Sequence, residues 1–241
     1  DDVRYMNAVE EGWRADGWYE IEGAEALGAD GDTDWYFFKD GKVKKADVNK
    51  PADDNGAAKN GDRFRAKIKV NGKNFCFNEL GQMQTGLQKI NDAFYYFDDN
   101  GYMKTGKVAV EEDDGDVYTY FFETKNGDNG KGVTGEKNGY LYFNGKRLEA
   151  DDDYKLYSVK GNIYLVNKNG KLQKSTSRKY KVENFDGAEV EFKEIDSKSY
   201  KVKATADQIA KAVLPEITLY EKSNGDDLVW TDNGSGKATI K

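Results

Sequence analysis

An internal repeat constrains this chain more than any other feature of its sequence. Residues 66–85 (AKIKVNGKNFCFNELGQMQT) align without a gap with residues 86–105 (GLQKINDAFYYFDDNGYMKT), so the period is 20 residues. The alignment places Phe77 on Phe97 and Gly81 on Gly101. Self-similarity at a short fixed period is typical of architectures built by stacking small units. We therefore expect a row of similar units rather than a fold organised around one large core.

Weaker copies of the same block precede and follow these two. Each has a first strand, a turn, an aromatic strand and a Gly-x-apolar ending, with the aromatic strands at 35–38, 120–122, 140–143 and 163–166. Beyond about residue 176 the pattern fades. We predict β-hairpin repeats in residues 1–175. Residues 176–241 are then either a divergent continuation of the repeats or a small β-rich capping domain.

Each block has the local chemistry of a β-hairpin. Asn71-Gly72 lies between two β-rich segments, and this dipeptide favours a two-residue turn because both turn positions need a positive φ. An isolated hairpin is marginally stable in water, so the copies must stack to bury their aromatic side chains. The predicted fold is all-β, a solenoid of stacked short β-hairpins with a divergent β-rich C-terminal part.

Strand alternation separates the aromatic residues of each block into two faces. The positions of Tyr95 and Phe97 are apolar in every copy, which is typical of a core. The positions of Phe94 and Tyr96 vary between polar and aromatic, which is typical of a surface. We therefore expect the first pair of positions to be buried and the second pair to be exposed.

The C-terminal part has signals of its own. Thr205 is a good N-cap for a short helix over residues 206–214, and Pro215 would close it. Alternating segments at 180–182, 200–203, 217–220 and 228–230 indicate strands.

Composition excludes several classes of function. The net charge is −7, whereas nucleic-acid binding needs a basic surface, and no run of about 18 apolar residues could span a membrane. No signal peptide opens the chain, so we interpret it as a mature protein or an excised segment. His is absent and Cys76 is the only cysteine, so His-based triads, His-ligated metals and internal disulfides are impossible. We expect no enzyme activity, no cofactor and no bound metal.

The acidic clusters have simpler interpretations than catalysis or metal binding. Asp30 to Asp34 has alternating carboxylates, but the sixth and twelfth positions of an EF-hand loop are occupied by Trp35 and Gly41. We interpret it as a solvated turn. The segments 111–116 and 151–153 are interpreted as hydrated loops between copies.

The best-preserved block carries a family resemblance. Gly-Leu-x5-Ala-Phe-Tyr-Tyr-Phe-x3-Gly-x-Met-x-Thr-Gly at 86–106 resembles the cell-wall-binding repeat, a family that includes choline-binding, glucan-binding and clostridial-toxin repeats. The likeness extends over roughly residues 12–175 by repeat counting. It implies a secreted or surface-attached, non-catalytic module that holds a protein to a polysaccharide or glycan.

In choline-binding members an aromatic cage forms between successive hairpins, and the resemblance transfers its three positions to this chain. Only the first block, with Trp18, Trp35 and Phe37, has aromatic residues at all three. In the other blocks the first position is Lys67, Leu87, Lys107 or Glu136, and the third is Cys76, Tyr96, Phe121 or Tyr142. A quaternary ammonium needs several π faces within about 6 Å, so choline is a weaker candidate ligand than a sugar, which needs one exposed aromatic plane. The candidate ligand-binding aromatics are Trp18, Trp35, Phe37, Phe94, Tyr96, Phe121, Tyr140 and Tyr142.

These observations leave three hypotheses for function. The first is an extracellular module that binds cell-wall polysaccharide or surface glycan through the candidate aromatics. The second is a structural spacer or adhesin stalk, and the third is choline-type attachment to teichoic acid. The clustering of outer-face aromatics favours binding over a purely structural role.

Overall fold

The protein folds as an all-β chain of small antiparallel sheets. The computed structural model describes residues 13–23, 31–50, 58–60, 63–112, 114–125, 129–192, 195–196, 200–223, 226–232 and 239–240. The described residues include one short α-helix, and none of their helices is long and apolar enough to cross a membrane. The chain divides into two compact units, residues 1–104 with 224–226 and residues 105–223 with 227–241.

The first unit consists of consecutive hairpins. Its sheets have the strand orders β1-β2-β3, β4-β5-β6-β7 and β8-β9. The strands are β1 (Gly17–Glu22), β2 (Thr33–Lys39), β3 (Lys42–Val43), β4 (Ala58–Asn60), β5 (Arg63–Val70), β6 (Lys73–Asn78), β7 (Met83–Gln84), β8 (Gly86–Ile90) and β9 (Ala93–Phe97).

The second unit continues with hairpins and ends in further short sheets. Its sheets have the orders β10-β11-β14-β13-β12, β15-β16-β20-β19, β17-β18 and β21-β22-β23. The elements are β10 (Gly106–Glu111), β11 (Val117–Phe122), β12 (Gly135–Lys137), β13 (Tyr140–Phe143), β14 (Lys146–Arg147), β15 (Tyr154–Val159), β16 (Asn162–Asn167), β17 (Lys179–Lys181), β18 (Glu189–Glu191), β19 (Ile195–Asp196), β20 (Lys201–Val202), α1 (Ala206–Lys211), β21 (Ile217–Ser223), β22 (Asp226–Asp232) and β23 (Thr239–Ile240).

The hairpin turns have the backbone geometry that the sequence predicts. Asn71 and Gly72 connect β5 to β6 with φ values of 48° and 84°, and Asn138 and Gly139 connect β12 to β13 with φ values of 55° and 80°. Positive φ at both central residues matches the twist of the flanking strands. The turn residues therefore set the register of each hairpin.

A second turn, after the aromatic strand, is closed by an Asx side chain at the same position of the repeat. The Oδ1 atom of Asp98 accepts hydrogen bonds from the backbone N–H groups of Asn100 and Tyr102, at 3.1 and 2.9 Å. Asn78, one period earlier, accepts from Leu80 and Gln82 in the same way. Asx side chains stabilise tight turns by bonding to nearby backbone groups. This explains the Asn or Asp that follows the aromatic strand in the two best-preserved copies.

The glycine that follows this turn is needed for close packing. A Cβ added at Gly81 would collide with Val43, and one added at Gly101 would collide with Met83, in each case the apolar residue that ends the preceding copy. Both glycines also have a positive φ. The contacts bring consecutive copies together within the first unit, which is consistent with stacked repeats. The solenoid as a whole stays a prediction.

The inner face of the hairpins was predicted correctly. The residues at the two inner positions are buried in every copy: Tyr36, Phe38, Phe75, Phe77, Tyr95, Phe97, Tyr120, Phe122, Leu141, Phe143, Tyr164 and Val166. Apolar residues at the same two strand positions therefore form the core of each copy.

The prediction of an exposed outer face is wrong for most copies. Among its residues, Phe37, Phe94, Tyr142 and Leu165 are buried, and so is Cys76. Variation in polarity indicated a surface, but the sequence pattern does not show what else packs on that side of a hairpin. Many hairpins are covered on both faces.

The C-terminal helix begins where expected and ends early. Thr205 caps α1, and its side chain and that of Gln208 form a capping box. The predicted helix over 206–214 stops at Lys211, because Val213 forms a parallel bridge with Tyr157 and is fixed by backbone hydrogen bonds to Leu156 and Ser158. Pairing with β15 thus ends the helix before Pro215 is reached.

Residues beyond 176 pack on the preceding hairpin. Tyr180, Val182, Phe192 and Val202 share an apolar cluster with residues of β15 and β16. The strands predicted in this part are present as β17, β20, β21 and β22. The predicted domain boundary near residue 175 stays a prediction.

Candidate functional site

One face of the first hairpin holds three of the candidate aromatics. In the register of β1 and β2, Trp18 lies opposite Phe37, and Glu20 lies opposite Trp35. Residues directly opposite one another in an antiparallel pair project to the same side, as do residues two apart along a strand. Trp18, Glu20, Trp35 and Phe37 therefore form one surface, which we call the tryptophan face.

Part of the tryptophan face is anchored in the core. The Trp18 ring lies 5.2 Å from the Phe37 ring, 4.8 Å from that of Phe75 and 5.8 Å from that of Phe77, between ring centroids. Phe37 is buried in the same apolar cluster, and Trp18 is partly buried against it. Aromatic pairs at these distances stabilise one another beyond the effect of area burial. Trp18 is therefore held in place by strands β2 and β6.

The other half of the tryptophan face is open. The Trp35 side chain is 44% exposed, and the Glu20 opposite it is also exposed. Among the described residues, Glu20 forms no ion pair or side-chain hydrogen bond. An indole plane beside a free carboxylate offers a π surface and a hydrogen-bond acceptor to a ligand.

The candidates of the third block, residues 86–105, are less accessible than expected. Phe94 is fully buried, and the Lys89 Nζ atom lies 5.9 Å from the centroid of its ring. Tyr96 is partly buried, and its carbonyl accepts a hydrogen bond from the backbone N–H of Lys104 at 2.8 Å. In this hairpin a lysine of the chain already lies near the aromatic ring.

The second block, residues 66–85, also has a lysine near an aromatic ring. Lys67 occupies the cage position that holds Trp18 in the first block, and its Nζ atom lies 4.7 Å from the centroid of Tyr95. The third cage position is Cys76, which lies in the core with Ile90 and Phe97. This block has no open aromatic cage.

The remaining three candidates lie close together in the second unit. Phe121 on β11 and Tyr142 on β13 have ring centroids 5.8 Å apart. Tyr140 and Tyr142 share a side of β13, with Lys137 opposite Tyr140 and Arg147 opposite Tyr142. We call the surface formed by Phe121, Lys137, Tyr140, Tyr142 and Arg147 the tyrosine face.

Two basic side chains cover the rings of the tyrosine face. The Lys137 Nζ atom lies 5.4 Å from the centroid of Phe121, and the Arg147 Cζ atom lies 5.6 Å from that of Tyr140. Each cation is held by a carboxylate, Lys137 by Glu123 at 2.9 Å and Arg147 by Glu149. Both distances to the rings are within the range of cation–π attraction. The rings are thus occupied by cations of the chain itself.

Burial also affects the titration of this surface. Desolvation raises the pKa of Tyr142, and the nearby Arg147 guanidinium partly opposes that rise. Tyr142 is therefore a neutral, largely buried phenol at physiological pH. Its ring packs beneath the other side chains of the face, and its hydroxyl stays protonated.

Lys137 lies on the tyrosine face because β12 and β13 pair in a different register from β8 and β9. The alignment of the repeats did not indicate this difference. In the third block, Gly86 pairs with Phe97, whereas Gly135 pairs with Tyr142 rather than with Phe143. A one-residue slip moves side chains to the opposite face. Glu136, assigned to a cage position by alignment, therefore lies opposite Leu141. The available signal was the two-residue Asn138-Gly139 turn, which fixes the pairing of the flanking residues.

Two carboxylates of the acidic segment 111–116 accept hydrogen bonds from tyrosine hydroxyls. Glu112 accepts hydrogen bonds from the Tyr120 hydroxyl at 2.6 Å and from the Lys146 ammonium at 2.8 Å. The Lys146 Nζ atom lies 3.6 Å from the Tyr118 centroid, and the Tyr118 hydroxyl donates to Asp114 at 2.8 Å. The interpretation of 111–116 as a hydrated loop is therefore wrong for Glu112, which is partly buried, whereas Asp114 is exposed as expected.

Two other acidic or concave features lie in the first unit. Asp30 of the acidic turn is outside the described residues, and Asp34 accepts a hydrogen bond from the Gln82 amide at 2.7 Å. An open groove of about 790 Å³ is lined by residues 43–50, Ile68 and Glu79. None of the candidate aromatics lines this groove.

Comparison with known families identifies part of the chain. The sequence model of the choline-binding repeat matches residues 84–132. No curated protein sequence matches the chain. The matched segment includes Phe94, Tyr96 and Phe121, whereas the tryptophan face lies outside it.

Solved structures of choline-binding and cell-wall-lytic proteins are similar to parts of the chain. Choline-binding protein F from Streptococcus pneumoniae is 23% identical, with 70% of this chain and 54% of that chain covered and a TM-score of 0.32. The Cpl-1 endolysin complexed with a peptidoglycan analogue is 20% identical, with coverages of 70% and 40% and a TM-score of 0.34. The autolysin LytC from Streptococcus pneumoniae is 14% identical, with coverages of 95% and 49% and a TM-score of 0.31. This chain thus spans about half the length of choline-binding protein F.

The family match agrees with the resemblance inferred from the repeat. A choline-binding repeat is a binding module, so the matched segment is of the binding type rather than the catalytic type. The resemblance of this chain to the cell-wall-binding repeat family is confirmed, and its residues 84–132 match the choline-binding repeat of that family.

Proposed function

We propose that this chain is a non-catalytic extracellular module that binds cell-wall polysaccharide or surface glycan through the tryptophan face. The observation that carries the proposal is the exposure of Trp35, 44% accessible on the same face as the anchored Trp18 and the exposed carboxylate of Glu20. The family match of residues 84–132 supports a role at the cell wall.

The chemistry of the tryptophan face suits a sugar. The C–H face of a pyranose packs on an indole plane, and the Glu20 carboxylate can accept hydrogen bonds from its hydroxyl groups. Trp35 lies on a paired strand, and the neighbouring Trp18 is fixed by Phe75 and Phe77. A surface that is already rigid loses little conformational entropy when it binds a ligand.

The same face also favours a second candidate, a quaternary ammonium such as choline. A cation near Trp35 would gain from the indole ring and from the opposite charge of Glu20. The family match names choline as the ligand of the related repeats. The two candidates differ in how much they depend on the charge of Glu20.

Retention on purified Gram-positive cell walls tests the proposal. Trp35→Ala should lower the affinity about tenfold or more, equivalent to about 1.4 kcal/mol, because the π surface is lost. Trp13→Ala is the matched control, since Trp13 precedes β1 and is 66% exposed. Equal retention of both variants would reject the tryptophan face. Failure of the wild type to bind walls or isolated glycans would favour the structural-spacer hypothesis.

Glu20→Gln separates the two ligands, because glutamine keeps a hydrogen-bond acceptor but removes the charge. For a neutral glycan we expect retention to fall by less than about threefold, and for a quaternary ammonium by about tenfold. Competition with free choline gives an independent measurement. Elution by millimolar choline would support choline attachment, and persistence on the wall would support glycan binding.

A further inference from the structure

The tyrosine face has the aromatic components of a cation site, and two of its three rings, Phe121 and Tyr140, already have a cation of the chain beside them. Lys137 and Glu123 form an ion pair at 2.9 Å whose side chains are only 27% and 24% exposed. Partial burial strengthens such a pair relative to a fully exposed one. Lys137 is therefore held near the Phe121 ring instead of being free to move into solvent.

Arg147 is placed in the same manner at the other end of the face. It lies opposite Tyr142 in the register of β13 and β14, and its guanidinium reaches over the neighbouring Tyr140 ring. Its side chain is 20% exposed and is paired with Glu149. Two cations and two carboxylates thus occupy a surface on which a ligand ammonium would otherwise contact Phe121, Tyr140 and Tyr142.

We propose that Lys137 and Arg147 are specificity-determining residues that close the tyrosine face to quaternary ammonium ligands by occupying its aromatic rings from within the chain. The inference deepens the proposed function, on which it rests, by stating which ligand chemistry this second surface rejects. A ligand cation would have to displace a basic side chain that is already held beside the ring by its carboxylate partner, and breaking that ion pair opposes ligand binding.

Similar pairs elsewhere in the chain fit this interpretation. Lys67 lies over Tyr95 at 4.7 Å and Lys89 near Phe94 at 5.9 Å, each at an aromatic position of its repeat. At the tyrosine face each of the two cations is also paired with a carboxylate. Removing the cation there would leave a carboxylate beside the partly accessible rings of Phe121 and Tyr140, which is an environment that favours a quaternary ammonium.

The test is to remove the internal cations and titrate with choline alone. Lys137→Met and Arg147→Met remove the charge and keep an unbranched side chain, and both are introduced singly and together into a Trp35→Ala background to suppress binding at the tryptophan face. Lys168→Met, in the exposed turn after β16, is the matched control. Binding is followed by NMR shifts of the tyrosine ring signals.

We expect the double variant to bind choline at least about tenfold more tightly than the Trp35→Ala parent and the Lys168→Met control. No gain of affinity would overturn the inference, as would choline-dependent shifts of Tyr140 and Tyr142 in the parent. Far-ultraviolet circular dichroism confirms that each variant is folded, and Lys137→Arg, which keeps the cation, must remain unable to bind. Because the readout is choline and not cell wall, its result is independent of wall retention by the tryptophan face.

Discussion

The tryptophan face and the tyrosine face have equivalent positions in the repeat but opposite chemistry. On the first, Trp35 is exposed and the carboxylate of Glu20 has no partner among the described residues. On the second, Lys137 and Arg147 lie beside the Phe121 and Tyr140 rings, and a carboxylate holds each of them there. The comparison shows that an aromatic residue at an outer position does not by itself make a binding site. The neighbouring charges determine whether the ring is available to a ligand.

The largest expected effect separates the two tryptophans of the first hairpin. Trp18→Ala should lower the free energy of unfolding by about 3 kcal/mol, because it removes a large ring packed on Phe37, Phe75 and Phe77. Trp35→Ala should lower it by less than about 1 kcal/mol, because the side chain is largely exposed. Urea denaturation followed by circular dichroism measures both. Similar losses in the two variants would contradict the division of this face into an anchored half and an open half.

A smaller effect is expected from the carboxylate that holds Lys137. Glu123→Gln should cost about 1 kcal/mol or less of stability, since the ion pair is only partly buried. It should also release the Lys137 side chain from the Phe121 ring, which NMR detects as a change in the lysine ε-methylene shifts. Glu136→Gln, an exposed neighbour on β12, is the control. Unchanged lysine shifts in Glu123→Gln would mean that the cation stays over the ring without its carboxylate.

The smallest effect concerns a single phenol of the second unit, Tyr118 on β11, which follows the acidic segment 111–116. The hydrogen bond to Asp114 raises the pKa of Tyr118 to about 12. The stability that this bond contributes is present below the ordinary tyrosine value of 10.0 and is lost as the pH rises through about 12. Asp114→Asn should move the pKa of Tyr118 back toward 10.0.

Ultraviolet titration of the protein measures this shift. The titration curve of Tyr118→Phe is subtracted from that of the wild type, so that the difference reports the Tyr118 hydroxyl alone. If Tyr118 titrates at its ordinary value in the wild type, its hydrogen bond to Asp114 is absent, and the segment 111–116 is a hydrated loop, as the sequence alone indicated. The pKa of the Asp114 carboxylate shifts in the opposite direction, because the hydrogen bonds from Asp116 and Tyr118 lower it. Its contribution is present above the ordinary aspartate value of 3.8 and is lost at lower pH.

The fold was predictable to the extent that local chemistry determined it. Asn-Gly turns and the apolar inner positions were visible in the sequence, and the structure confirms them. The capping box at Thr205 was visible too, but not the pairing of Val213 with Tyr157 that ends the helix. Such a pairing joins residues far apart in the chain, and a local pattern carries no information about it.

The site was predictable only in its aromatic residues. Alignment found Trp18, Trp35 and Phe37 on one face, and the register of β1 and β2 confirms that they share it. It did not indicate that Phe94 is fully buried or that Lys137 lies over Phe121. The burial depends on packing beyond the hairpin, and the lysine position depends on a one-residue difference in register. Neither follows from the composition of a single repeat.

The most direct test of the account compares one residue from each face in the same assay. Retention on purified cell walls is measured for the wild type, Trp35→Ala and Phe121→Leu. We predict that Trp35→Ala lowers the affinity about tenfold or more, and that Phe121→Leu stays within about twofold of the wild type. A larger loss in Phe121→Leu than in Trp35→Ala would contradict the claim that the tryptophan face is open to ligand while the tyrosine face is occupied by the chain's own cations.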